Sequence, residues 1–141
     1  MLDQQSRLKR ILIVDDEPTL VFFLKQGLQE AENYTVEGAS SGEDALTKLT
    51  YNRYDLIVTD LKMPGISGFT LVEVARSLHA DIGVILITAF GSPEVQKEVK
   101  QLDVDGYLTK PFPIVELQDL VKKALAKIHK NSQDLITKHN R

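Results

Sequence analysis

The sequence predicts an α/β protein, a three-layer α/β/α sandwich built on one five-stranded parallel sheet. Strand-like and helix-like segments alternate five times along 141 residues, with short connections between them. The main strand-like segments are apolar on both faces, which is typical of parallel strands covered by helices on each side. An eight-fold barrel needs far more chain, so right-handed β/α units in an open sheet are the expected architecture.

The first β/α unit has the clearest pattern. Residues 11–14 are an apolar strand, and Pro18 follows shortly after it. Proline suits the first turn of a helix, where its missing N–H has no partner to lose, so a helix is expected over residues 18–32. The next strand, residues 34–39, is more polar, which indicates a position near a sheet edge.

The second helix is predicted from a capping pattern. Ser40 is followed three residues later by Glu43, the spacing of a capping box, and the helix is expected to continue through Leu49. Residues 56–60 then form an apolar strand that ends on an aspartate.

Serine caps also mark the third and fourth helices. Ser67 is expected to cap a helix that runs to Leu78, and residues 84–88 form the next strand. Ser92 is followed by a proline and a glutamate, which suit the first turn of a helix ending near Gln101.

The end of the chain completes the fifth unit and sets the domain boundaries. A short strand is expected over residues 105–108, and apolar residues at helical spacing follow from Ile114 to Ile128. We therefore expect an N-terminal extension over residues 1–8, one domain over residues 9–130, and a polar tail or linker over residues 131–141.

Chemically useful side chains follow four of the five predicted strands. Because parallel strands bring their carboxyl ends to one edge of the sheet, three carboxylates, a hydroxyl and an ammonium should meet there. A carboxylate directly after four apolar strand residues also needs a compensating partner. These candidate residues are Asp15, Asp16, Asp60, Thr88 and Lys110.

Composition excludes several classes of protein. The absence of cysteine leaves no disulfide framework and no thiolate metal site, which fits a reducing compartment. Apolar stretches fall short of the roughly 18 to 20 residues that a membrane span needs. A net charge of −3 argues against direct nucleic-acid binding by this segment. We expect a cytoplasmic protein that binds neither membrane nor nucleic acid directly.

The candidate residues resemble the receiver domain of two-component response regulators. The resemblance covers residues from Lys9 to about Lys130 and implies a flavodoxin-like strand order of 2-1-3-4-5, with a cis bond between Lys110 and Pro111. The matching motifs are the acidic pair Asp15–Asp16, the phosphoacceptor Asp60, the turn Met63–Pro64–Gly65, the pair Thr88–Ala89, the aromatic residue Tyr107, and Lys110–Pro111.

The resemblance implies a phosphorelay function. Asp60 would accept a phosphoryl group from a sensor histidine kinase or a histidine phosphotransfer protein. Closely spaced carboxylates favour a hard divalent cation, so Mg²⁺, or Mn²⁺, is the expected cofactor. Its ligands would be Asp15, Asp16, Asp60 and, by resemblance, the backbone carbonyl of Lys62. Such a domain is no enzyme for a separate substrate, since it catalyses only its own phosphotransfer and dephosphorylation.

The resemblance also implies a conformational switch. Thr88 and Lys110 would contact the phosphoryl group, and Thr88 with Tyr107 would change the face formed by the fourth helix, fifth strand and fifth helix. That face would control an output domain or partner, and it allows a homodimer. Lys62 and Phe90 flank the path of the hydrolytic water in receivers, so they are predicted to tune a long-lived phosphorylated state.

Two alternatives stay open at the level of sequence. The segment from Asp15 to Leu20 resembles the first motif of haloacid-dehalogenase-like phosphohydrolases, with Asp15 as nucleophile and Glu17 as acid. No acidic metal-binding pair follows Lys110, and Asp60 would be surplus in such an enzyme. The other alternative is a receiver-like interaction module that is not phosphorylated; the complete set of acids, hydroxyl and lysine argues against it.

Overall fold

Five strands alternate with five helices in the structure, a computed structural model that describes residues 8–89 and 91–139, with residues 128–139 described by their backbone alone. Most of the predicted N-terminal extension therefore lies outside the described residues. The elements are β1 (Arg10–Val14), α1 (Pro18–Ala31), β2 (Thr35–Ala39), α2 (Gly42–Tyr51), β3 (Leu56–Asp60), α3 (Gly68–Leu78), β4 (Gly83–Thr88), α4 (Pro93–Leu102), β5 (Gly106–Thr109) and α5 (Ile114–His139).

All five strands pair in parallel in the order β2-β1-β3-β4-β5. The predicted fold class and strand order are confirmed, and β2 lies at a sheet edge as its polar pattern predicted. The described helices include none that is long and apolar enough to cross a membrane.

Successive residues of each strand point to opposite faces of the sheet and build two hydrophobic cores. Ile11, Ile13 and Val58 pack with α1 and α5 on one face. On the other face Leu12 and Ile57 pack with α2, α3 and α4. Burial on both faces explains why β1, β3 and β4 are nearly all apolar.

The predicted cap of α2 is wrong by one residue. The N-cap is Ser41, whose hydroxyl accepts a hydrogen bond from the Asp44 amide at 3.0 Å. The Asp44 carboxylate in turn accepts from the Ser40 amide at 3.3 Å. Two adjacent serines are each followed three residues later by an acid, and the structure uses the second pair. The predicted serine caps of α3 and α4 are confirmed.

The start of the fifth strand also differs from the sequence prediction. The fifth strand starts at Gly106. The preceding Asp105 is bonded to the start of β4, its amide donating to the Val84 carbonyl and its carboxylate accepting from the Val84 amide, both at 2.8 Å. Helix α5 runs to His139 and so includes most of the residues predicted to be a polar tail or linker. The bond between Lys110 and Pro111 is cis, as the family resemblance implied.

Candidate functional site

The predicted site residues lie together at the carboxyl edge of the sheet. Asp15 follows β1, Asp60 ends β3, Thr88 ends β4 and Lys110 follows β5. Asp60 and Thr88 are on neighbouring strands, and the other two reach the same edge through the sheet order. The alternation of strands with covering helices therefore brings together residues up to 95 positions apart in the chain.

Lys110 links the two buried carboxylates of the site. Its Nζ donates to Asp15 Oδ2 at 2.9 Å and to Asp60 Oδ2 at 3.0 Å. Asp15 is 2% exposed and Asp60 is 7% exposed, so each carboxylate needs a partner to offset its desolvation. A single ammonium supplies that partner to both.

Backbone amides hold the second oxygen of each buried carboxylate. Asp15 Oδ1 accepts from the Glu17 amide at 2.9 Å, and Asp60 Oδ1 accepts from the Lys62 amide at 3.3 Å. The turns after β1 and β3 therefore fix the orientation of the two carboxylates. Asp16, by contrast, is exposed at the rim of the site.

Burial and charge act against each other on these groups. Burial raises the pKa of Asp60 above its usual value; the Lys110 hydrogen bond opposes the rise, and the Asp15 carboxylate adds to it. Burial alone would lower the pKa of Lys110, but hydrogen bonds to Asp15 and Asp60 outweigh burial and raise it. Lys110 therefore stays protonated, and burial disfavours the charged form of the neighbouring Asp60 carboxylate.

The acidic cluster fits a hard divalent cation. Carboxylate oxygens of Asp15, Asp16 and Asp60 lie within 4.8 Å of one another. One ammonium offsets only part of the charge of three carboxylates, and the Asp15 carboxylate adds to the effect of burial, which raises the pKa of Asp60. Carboxylate and carbonyl oxygens are the ligands that Mg²⁺ prefers, so the donor set suits that ion.

Two residues that the sequence reasoning did not assign to the site shape its backbone. Gly68, the first residue of α3, packs against the backbone of Asp60 and Leu61. Glu43 accepts a hydrogen bond from the Ile66 amide in the loop after β3. Gly68 directly follows the predicted cap Ser67, which indicates a helix start but not its close packing, and Glu43 was interpreted as part of a capping box.

The predicted switch residues lie near the same edge. Thr88 is 1% exposed at the end of β4. Tyr107 is half-buried on β5, and its hydroxyl is buried with no hydrogen-bond partner among the described residues. Of the two residues predicted to tune phosphate lifetime, Lys62 has an exposed side chain and Phe90 lies outside the described residues.

Comparison with known proteins gives one consistent family. Residues 11–124 match the response regulator receiver domain. The heme response regulator HssR of Staphylococcus haemolyticus is 35% identical over 127 residues, which cover 90% of this chain and 56% of that protein. Sporulation initiation phosphotransferase F of Bacillus subtilis is 35% identical over 117 residues, covering 83% of this chain and 94% of that protein. The chain thus spans only a little over half of HssR.

Solved structures of response regulators are similar to this chain in both fold and sequence. The response regulator protein TrrA of Thermotoga maritima, crystallised in complex with Mg²⁺–BeF, has a TM-score of 0.73 and is 40% identical. The match covers 83% of this chain and 99% of TrrA. The sequence comparison and the structure comparison therefore both find response regulators.

Proposed function

The chain belongs to the response regulator receiver domain family of two-component systems, and on that premise we propose that Asp60 accepts a phosphoryl group from a sensor histidine kinase or a histidine phosphotransfer protein. The observation that carries this proposal is the pair of hydrogen bonds from Lys110 Nζ to Asp15 and Asp60. The phosphoacceptor then has a cation in place to neutralise the charge that arrives with the phosphoryl group.

Mg²⁺, or Mn²⁺, is the proposed cofactor. The carboxylates of Asp15, Asp16 and Asp60 and the backbone carbonyl of Lys62 would hold it. When bound, the ion supplies positive charge that relieves carboxylate repulsion and offsets charge on the transferred group. TrrA, the relative described above, was crystallised with Mg²⁺–BeF.

The phosphotransfer step that we propose needs little from the protein besides positioning. An Asp60 carboxylate oxygen forms the new P–O bond while the P–N bond to the donor histidine breaks, and its electron pair leaves with the imidazole. Lys110 stays protonated and shifts its hydrogen bonds toward the phosphoryl oxygens. Thr88, on the strand beside Asp60, would donate its hydroxyl to one of those oxygens.

The same step would set the state of the output surface. In this proposal Thr88 moves toward the phosphoryl group and Tyr107 turns inward behind it, changing the α4-β5-α5 face. That face would control an output domain or partner, or form a homodimer. The matched residues cover only 56% of HssR. Control of an output domain, as in a longer protein of this kind, is therefore also part of the proposal.

The lifetime of the phosphorylated state is a separate proposal. Lys62 and Phe90 would tune it: the apolar Phe90 would not orient a hydrolytic water, and Lys62 would pair with phosphoryl oxygens. We expect the double substitution Lys62→Asn with Phe90→Glu to hasten loss of phosphate while Asp60 still accepts it. An unchanged decay of the phosphorylated band in phosphate-affinity gels would contradict this role.

Labelling with acetyl phosphate and Mg²⁺ tests the proposed phosphoacceptor. Asp60→Asn should abolish the slower band in phosphate-affinity gels, whereas Asp81→Asn, which changes an exposed aspartate, should not. Chelation of the divalent ion should also abolish it. Label that persists on Asp60→Asn would revive Asp15 as the nucleophile, and a wild-type protein that takes up no label would favour an interaction module without phosphorylation.

A further inference from the structure

Glu43 connects the start of α2 to the loop that follows the phosphoacceptor. Its Oε1 accepts a hydrogen bond from the Ile66 backbone amide at 3.2 Å, across 23 positions of sequence. The side chain therefore spans two elements that no ladder hydrogen bonds connect.

Two glycines let α2 and this loop approach closely. A Cβ added to Gly42 would lie 2.7 Å from the Ile66 Cβ and 3.0 Å from its carbonyl oxygen. A Cβ added to Gly65 would lie 2.5 Å from Glu43 Oε1, and Gly65 also has a φ of +83°, a conformation that favours glycine. Both sides of the contact are shaped for a close approach, and the hydrogen bond itself is exposed to solvent.

The loop in question, residues 61–67, starts at the phosphoacceptor. Its first amides and carbonyls are those nearest Asp60: the Lys62 amide donates to Asp60 Oδ1 at 3.3 Å, and the Leu61 carbonyl accepts from the Gly68 amide at 2.9 Å. Gly65 and Ile66 follow Lys62 in the same short loop, so the conformation of the loop at Ile66 bears on the position of the Lys62 backbone.

We propose that Glu43 is a positioning residue that holds the loop after β3 in the geometry in which the Lys62 carbonyl serves the metal. This inference rests on the proposed function for the identity of the metal ligand. The hydrogen bond between Glu43 and the loop does not depend on that function. The hydrogen bond, and not the negative charge of Glu43, is the active element, because only the hydrogen bond fixes the loop.

Three variants separate hydrogen bonding from charge. Glu43→Ala removes both the hydrogen bond and the charge. Glu43→Gln removes the charge but keeps an acceptor oxygen on a side chain of the same length. Glu73→Ala removes an exposed glutamate on α3 and serves as the matched control. Each is measured for Mg²⁺ affinity by calorimetric titration and, without metal, for hydrogen exchange of the Ile66 amide by NMR.

The proposal predicts a specific ranking. Glu43→Ala should weaken Mg²⁺ binding about five-fold and speed exchange of the Ile66 amide by a similar factor, as expected for loss of one solvent-exposed hydrogen bond of ordinary strength. Glu43→Gln should restore most of both values, and Glu73→Ala should match the wild type. The midpoint of thermal unfolding without metal should change little, since Glu43 is exposed.

The outcomes that overturn the proposal are distinct from failure of the proposed function. Unchanged exchange at Ile66 in Glu43→Ala would show that the hydrogen bond does not hold the loop. Equal loss of Mg²⁺ affinity in Glu43→Ala and Glu43→Gln would assign the effect to charge. A wild-type protein that binds no Mg²⁺, with Ile66 protection still dependent on Glu43, would refute the metal role and leave only a loop contact.

Discussion

Gly68 lies directly against the backbone of Asp60. A Cβ added to Gly68 would lie 2.2 Å from the Asp60 carbonyl oxygen and 2.8 Å from the Leu61 Cα. The Gly68 amide donates to the Leu61 carbonyl at 2.9 Å, so the start of α3 is fixed to the end of β3. The position of the candidate phosphoacceptor therefore depends on a residue with no side chain.

Because backbone atoms cannot move aside as flexible side chains do, we expect Gly68→Ala to lower the free energy of unfolding by about 1–3 kcal/mol. Gly106→Ala is the control, since its added Cβ would meet the side chains of Leu120 and Ile85 at 3.2–3.3 Å. Urea denaturation of both variants measures the difference. A Gly68→Ala protein as stable as Gly106→Ala would contradict the close approach.

The buried hydroxyl of Tyr107 gives a prediction of opposite sign. It has no hydrogen-bond partner among the described residues, and a Cβ added to Gly91 would lie 3.3 Å from it. An unsatisfied buried polar group costs free energy in the folded state. We therefore expect Tyr107→Phe to retain the full free energy of unfolding or to raise it by about 1 kcal/mol.

Tyr54 provides the matched comparison for that experiment. It is 2% exposed, and its hydroxyl donates a short hydrogen bond to Glu37. Tyr54→Phe should lower the free energy of unfolding by about 1–2 kcal/mol, because it leaves one of the two carboxylate oxygens of Glu37 without its donor. Equal destabilisation by the two substitutions in chemical denaturation would mean that Tyr107 has a partner in solution.

Sequence alone predicted the features that repeat along the chain. Apolar strands such as residues 84–87 and serine caps such as Ser67 are local signals, and both were confirmed. The clustering of Asp15, Asp60 and Lys110 followed from one rule, that parallel strands end at one edge, and the hydrogen bonds of Lys110 agree with it.

Contacts between distant segments could not be predicted in the same way. Ser40 and Ser41 carry equivalent capping patterns, and only the structure shows that Ser41 is the cap, directly before Gly42, which packs against Ile66. The hydrogen bond from Ile66 to Glu43 likewise has no signal in either segment by itself. Such features depend on tertiary geometry, which local propensity does not encode.

Glu37 should make folding stability depend on acid pH. Burial alone would raise the pKa of Glu37, but hydrogen bonds from Tyr54 and Arg10 outweigh burial and hold it below its ordinary value of 4.5. The unfolded chain therefore binds a proton at Glu37 more readily than the folded protein does. The stabilisation is present above pH 4.5 and is lost as the pH falls through the lower, folded value.

We expect Glu37→Gln to remove this part of the pH dependence. The free energy of unfolding of the wild type should exceed that of Glu37→Gln near neutral pH, and the gap should narrow as the pH falls below 4.5. Denaturation at a series of pH values, with the exposed Glu30→Gln as control, measures the gap. A gap that widens toward acid would reverse the sign of the linkage.

Arg76 holds the carboxyl end of α4, a helix with few buried side chains. Its guanidinium donates to the Leu102 carbonyl and, at 3.0 Å, to the Asp103 carbonyl. Asp103 has a φ of +52°, a conformation that costs free energy for a residue other than glycine. Val99 is the one buried residue of α4, so these hydrogen bonds are a large part of what fixes the helix.

We expect Arg76→Ala to loosen α4 while the rest of the fold stays intact. Loss of hydrogen bonds worth about 1–2 kcal/mol should raise hydrogen exchange in α4 roughly ten-fold, with little change in β3 or β4. Arg53→Ala, which alters an exposed arginine, should leave exchange at the wild-type rate. Peptide-resolved exchange measured by mass spectrometry distinguishes the cases. The face that includes α4 is the proposed output surface. Hydrogen exchange that rises in α3 but not in α4 would mean that Arg76 stabilises its own helix, α3, and does not stabilise that surface.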